Sequence, residues 1–140
     1  MKGEVNVSFS SFQFSNPVLI SSHFEMKRMA KEDEAVNVHL ARSINRDDES
    51  GNKATVNLTI RLNRADDEDA CFFAELTMQS VFIWEKNLEE EMVEKLLKQN
   101  ATSLLISYAR PIIAQLTSAS PVPVYNLPFL NLTDMETEKD

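Results

Sequence analysis

The side chains able to do covalent or acid–base chemistry are few in this chain and poorly placed for it. His23 and His39 stand apart, with no cysteine or carboxylate at metal-ligand spacing. His39 falls among polar strand positions, where an exposed ring is the expected state. The one cysteine, Cys71, precedes Phe72 and Phe73 with no basic residue nearby to lower its pKa, so it reads as an inert thiol and not a nucleophile. Acidic clusters at 32–34, 47–49 and 66–69 lack the spaced carboxylates and glycine of a calcium loop and read as solvated turns. The only glycines are Gly3 and Gly51, too few for a glycine-rich phosphate cradle. The reading is of a binding protein that is not an enzyme, with no metal and no cofactor.

The bulk composition narrows what such a protein would bind. The chain has 140 residues, of which 43% are hydrophobic and 26% charged, ordinary for one folded domain. Its net charge of −8 repels nucleic acid and anionic membranes, whose phosphates need clustered Lys and Arg. No apolar run has signal-peptide or membrane-spanning character, so no membrane insertion is expected and the expected compartment is the cytoplasm. Eight Phe, one Trp and six Met supply adaptable apolar surface.

Two kinds of element must position these residues. Val5, Val7 and Phe9 alternate, then the apolar phase jumps to Phe12 and Phe14. This predicts a first strand with a β-bulge near Ser10–Ser11, stopped by Asn16-Pro17. Residues 18–33 have no clean period. Over 35–44, Val36, Val38, Leu40 and Ile44 share a face; over 53–63, Ala54, Val56, Leu58, Ile60 and Leu62 do so, with a polar turn between the two strands. A fourth strand, 70–84, continues the apolar face with Phe72, Ala74, Leu76 and Met78. The period then becomes helical: a short amphipathic helix to about Lys98, then a second helix capped by Asn100 and interrupted at Pro111. The expected fold is α+β, a four-stranded antiparallel sheet followed by helices packed on one face. One domain is expected over 1–134, with a charged tail over 135–140.

The second helix and the segment after it carry a resemblance. Asn100 to Arg110, ending Tyr108-Ala109-Arg110, resembles the Asn-Ile-Leu-Phe-Pro-Tyr-Ala-Arg helix start of the SecB export chaperones. Pro123 to Leu132 is similar to that family's Pro-X-Leu-X-Leu-Ala-Pro-Val-Asn-Phe segment. The resemblance extends in order and spacing over about residues 4–134. It implies dimers built by sheet pairing, tetramers with the helices sandwiched between them, and ATP-independent holding of unfolded or nascent polypeptides for a translocation motor. It further implies that Val36, Val38 and Leu40 belong to a client groove, to which Phe14, Phe24, Phe82 and Trp84 are added here. Phe72, Ala74, Leu76 and Met78 would face the helices and an oligomer interface, and Phe73 and Glu75 would dock a partner on the outer sheet face. The chain departs from the family pattern at Gln79-Ser80, where a glycine pair is usual, and at Ser107, where the motif proline stands. Ser11 and Ser15 replace acidic docking residues. Divergent relatives of this kind include chaperones dedicated to one client such as an antitoxin. A second reading is a non-catalytic scaffold subunit binding one folded partner. A third, a small-molecule site, finds no convergent polar groups in the sequence.

Overall fold

The computed structural model describes residues 8, 10–31, 33–120, 123–132 and, as backbone, 137–138. The strands are β1 (Phe12–Phe14), β2 (Val18–Met26), β3 (Val38–Arg46), β4 (Lys53–Leu62), β5 (Phe72–Trp84) and β6 (Thr137–Glu138). The helical part comprises α1 (Glu90–Lys95), a π-turn over Leu96–Asn100, and α2 (Ala101–Ser118). Sheet order is β1-β5-β4-β3-β6, with β2 also on β5. Every pairing is antiparallel except β6 on β3.

An antiparallel sheet followed by helices on one face is the expected architecture, but among the described residues the sheet has six strands and not four. One reason is that the edge strand is split. β1 and β2 lie end to end along β5, Phe12–Phe14 opposite Trp84–Phe82 and Val18–Met26 opposite Gln79–Phe72. Asn16-Pro17 falls in the gap, where a proline removes a ladder donor. Ser15 holds the break closed: its amide donates to Val81 O at 2.9 Å, its hydroxyl accepts from Val81 N at 3.1 Å, and its carbonyl accepts from Ser80 Oγ at 2.6 Å. Ser80 is thus a buried clamp. The other added strand is β6, formed within the stretch expected as a tail. β2 has a register irregularity of its own between Leu19 and Ser21; the bulge expected at Ser10–Ser11 rests on the phase of Val5, Val7 and Phe9, which lie outside the described residues.

Alternation builds the core. Ala54, Val56, Leu58, Ile60 and Leu62 of β4 and the even positions of β5 are all buried, in a register that sets Leu58 opposite Met78 and Ile60 opposite Leu76. Above them lie Val93, Leu97, Ala101, Leu105, Ala109, Ile113 and Thr117, all 0–2% exposed. A four-residue repeat drifts about 40° per step around an α-helix. The π-turn, which fits an extra residue into one turn, corrects part of that drift and keeps the stripe on the sheet. For this reason the two expected helices are one rod. Asn100 is helical, at φ −70° and ψ −41°, and makes no capping bond, and α2 runs through Pro111 to Ser118.

Arg42 breaks the apolar face of β3 between Leu40 and Ile44, yet is 3% exposed. Its guanidinium donates to the Lys98 carbonyl in the π-turn and to Thr102 Oγ1 at 3.1 Å, while the Thr102 hydroxyl donates to the same carbonyl at 2.9 Å. Burial lowers its pKa, and these acceptors compensate the buried charge. Truncating Leu58, fully buried at the sheet centre, is expected to cost about 2–5 kcal/mol. The measurement is the urea midpoint of Leu58→Ala, and an unchanged midpoint would contradict this account of the core.

Candidate functional site

Two irregular segments flank an opening at the end of the sheet. The first is the β2–β3 connection, fastened by two cations. Lys27 Nζ donates to Ala65 O at 2.8 Å. Arg28 grips Glu34 through both carboxylate oxygens, at 2.6 and 3.1 Å, and its Nε donates to Asp69 O at 3.0 Å. Glu34 also accepts the Lys31 amide at 2.8 Å. The Arg28 hydrogen bond, then the Lys31 amide, hold the Glu34 pKa down to about 2. The second segment is 123–132, strapped to α2. Tyr125 N donates to Thr117 Oγ1 at 2.8 Å, and Arg110 donates to the carbonyls of Leu127 and Pro128, each at 3.1 Å.

Between the two segments lies a cavity of about 270 Å³, walled by Val36, Cys71, Phe72, Val124 and Tyr125 among others. Burial raises the pKa of the Cys71 thiol and of the Tyr125 phenol, so both stay neutral, and the charged groups of the wall are confined to Lys31, Asp33 and Glu34 on the β2–β3 connection. From Val36 the inner side of β3 continues through Val38 and Leu40, both half-buried against the core. The Arg110 strap also displays Phe129, 96% exposed, with the guanidinium 5.3 Å from its ring centroid.

The expected site residues divide by exposure. Val36 lines this opening; Val38 and Leu40 are not among its lining residues and lie along β3, half-buried against the core. Phe24 is half-buried and stacks on Phe72 at 5.5 Å. Phe14 is 40% exposed and meets the edge of Tyr108 at 6.3 Å. Phe82 and Trp84 must be removed from the groove: both are buried, because Phe12 stacks over them at 5.4 and 6.2 Å, and Arg46 covers the indole at 5.3 Å. Phe72, Ala74, Leu76 and Met78 face the helical rod and are 1–3% exposed in the single chain, which leaves them no surface to offer a second copy. The large apolar side chains exposed at the sheet edge are instead Val18, Leu19 and Ile20 of β2. Tyr125 and Val124 are additional wall residues of the cavity, and Tyr108 is an additional exposed apolar residue beside Phe14. Val124 and Tyr125 sit in a segment without periodicity, and Tyr108 reads as part of a broad helical stripe, so only the fold exposes their role.

The outer sheet face is chemically different. Thr59–Thr77 at 2.8 Å, Gln79–Asn57 at 2.9 Å and Arg61–Glu75 at 2.6 Å form a polar ladder. Phe73 and Glu75 sit together here, on a depression of about 760 Å³ that also takes in His39, Arg61 and Asn63. Among the described residues no three His, Cys, Asp or Glu side chains converge to hold a metal ion, and no helix is long and apolar enough to cross a membrane.

The family model of SecB, the preprotein translocase subunit, matches residues 18–138. The chain belongs to the SecB family. A solved structure of the Mycobacterium tuberculosis Rv1957 SecB-like chaperone, in complex with a ChAD peptide from the Rv1956 HigA1 antitoxin, has the same fold. It superposes with a TM-score of 0.68 at 17% identity, covering 86% of this chain and 91% of that one. A Streptococcus agalactiae protein of unknown function aligns with a TM-score of 0.47 at 14% identity, over 84% of this chain and 97% of its own. No curated protein matches the sequence.

The lowered pKa of Glu34 gives this SecB-family chain a defined acid response. A carboxyl depressed from 4.5 to about 2 contributes stability above its unfolded pKa and loses it as pH falls through the folded one. Between about pH 4.5 and 2, the urea midpoint of the parent chain is expected to fall more steeply than that of Glu34→Gln. Parallel curves would show that the Arg28–Glu34 clamp contributes nothing.

Proposed function

We propose that this SecB-family chain is an ATP-independent holdase, which keeps unfolded or nascent polypeptides from folding or aggregating and catalyses no reaction. The observation that carries this is the cavity at Val36, between the Arg28 clamp and the Arg110 strap, with Val38 and Leu40 left half-buried further along the same chain segment. Phe24 and Phe14 extend the apolar lining on the β2 side. Hydrophobic burial is non-directional, so such a groove needs an extended apolar segment in its client and no folded surface. With two glycines, Gly3 and Gly51, the sequence carries no glycine-rich phosphate-binding motif that would couple it to nucleotide hydrolysis.

The client class is a dedicated one, such as an antitoxin, a reading supported by the antitoxin peptide in the M. tuberculosis complex. The chain works in the cytoplasm as a homo-oligomer, a dimer or a dimer of dimers. Its β2 edge, with Val18, Leu19 and Ile20 exposed, supports sheet pairing between copies, since an unpaired apolar edge is otherwise an aggregation liability. The outer-face depression at Phe73 and Glu75 supports docking of a folded partner there, with a translocation motor the form that protein transport would require. That depression also favours the second reading, a scaffold that binds one folded protein and ignores unfolded ones.

Dilution of a slow-folding protein from denaturant, with excess chain and no nucleotide, separates the two readings. The holdase suppresses light scattering; the scaffold leaves it unchanged. Val36→Ser is expected to weaken holding about tenfold, the effect of removing roughly two buried methyl groups from the contact. Phe73→Ser is expected to hold clients as the parent does. Equal loss in both variants would remove the groove assignment.

A further inference from the structure

The outer edge of β3 is an edge of the sheet, and it is partly occupied by the chain itself. β6 pairs with it in parallel, Arg42 opposite Thr137 and Ser43 opposite Glu138. β3 is nine residues long, so this ladder covers its middle and leaves Val38–Ala41 and Ile44–Arg46 without a strand on that side among the described residues. Burial along β3 reaches the fully buried class only at Ala41 and Arg42, at and beside the ladder. Val38, Leu40 and Ile44 remain half-buried.

A strand edge offers unpaired N–H and C=O groups and accepts any extended backbone, whatever its sequence. Side chains at alternate positions of an added strand fall on the same sheet face as Val38 and Leu40. The resident occupant is badly suited to use them. Residues 133–140 carry four acids and one lysine, and Met135 is their one large apolar side chain. Among the described residues its ladder is two residues long, whereas an unfolded client offers longer extended runs with apolar residues at every second position. The tail and such a run need the same backbone groups and cannot both have them.

We propose that Thr137–Glu138 is a displaceable self-occupant of the client site, and that an extended, alternately apolar client segment adds to the β3 edge by replacing it. The tail then protects the edge from uncontrolled pairing while no client is present, and sets an affinity threshold that short or polar segments do not pass. The client half of this inference rests on the holdase reading; the ladder half does not.

The test uses the full chain and a Thr137→Pro, Glu138→Pro double variant, since proline cannot continue the ladder. The probe is a fluorescent, permanently unfolded polypeptide, reduced and carboxymethylated lactalbumin. The double variant is expected to bind about three- to tenfold more tightly, the factor by which a self-occupant that fills most molecules lowers an apparent affinity. A synthetic peptide of residues 133–140, added in trans, is expected to reverse that gain. Hydrogen exchange at the amides of residues 40–44 is expected to quicken in the variant with no client present. Unchanged affinity alongside unchanged exchange overturns the inference and leaves the holdase intact. Faster exchange with no affinity gain overturns the competition. Failure of both chains to bind the probe overturns the holdase reading, and the competition with it.

Discussion

One helical rod has to cover one face of a sheet wider than itself. A helix with its side chains is about 10 Å across, while strands are spaced about 4.8 Å apart, so the rod shields roughly two strands. Those two are β4 and β5, whose inward residues are buried along their whole length. The flanking strands are left short of cover. β3 keeps Val38, Leu40 and Ile44 half-buried, and β2 is exposed over most of its length. The open apolar flanks are therefore a consequence of the layer count, and the same mismatch explains both the groove beside β3 and the bare edge at β2.

Apolar flanks of this kind would collapse if the loops beside them were free to fold inward. Arginine fixes them. Arg28 ties the β2–β3 connection to Glu34 and to a carbonyl of the β4–β5 turn, and Arg110 ties the strap to two carbonyls beyond α2. A planar guanidinium with several donors in a fixed fork suits this task, because it satisfies irregular backbone from one side without needing a partner strand. Arg42 does the same within the core, bracing the π-turn from β3. The polar network holds the shape, and the apolar residues are left to make the surface.

The period-two alternation of strands separates the two surfaces assigned here. Phe72 and Phe73 are neighbours in sequence and lie on opposite faces, one beneath the rod and the other on the polar outer ladder. Holding a client beside β3 and docking a folded partner over Phe73 would therefore use different sides of one sheet. A substitution on one side need not disturb the other, which would make the two proposed roles separable in a chain this small.

The sequence by itself determined the central strands, the inward identity of Leu58, Leu76 and their neighbours, the change to a helical period, and the family. Each of these is written in spacing or in short motifs, and local periodicity survives whatever the partners are. Of the residues expected in a client groove, Val36 lines the cavity. Other features were decided only when the chain was packed. β2 was illegible because a largely exposed edge strand has no buried face to impose alternation. Asn100 has the composition of a cap but lies inside a continuous rod, because the four-residue stripe needs a π-turn there to stay on the sheet. Phe82 and Trp84 look like exposed strand-end aromatics until Phe12 stacks over them from a strand seventy residues away in the chain. The cavity itself joins Lys31, Asp33, Glu34 and Val36 with residues 71–72 and 123–125, three stretches that no local pattern connects. Burial of a single residue follows from its own strand or helix, whereas an opening is the space several elements fail to fill, and only their mutual placement defines it.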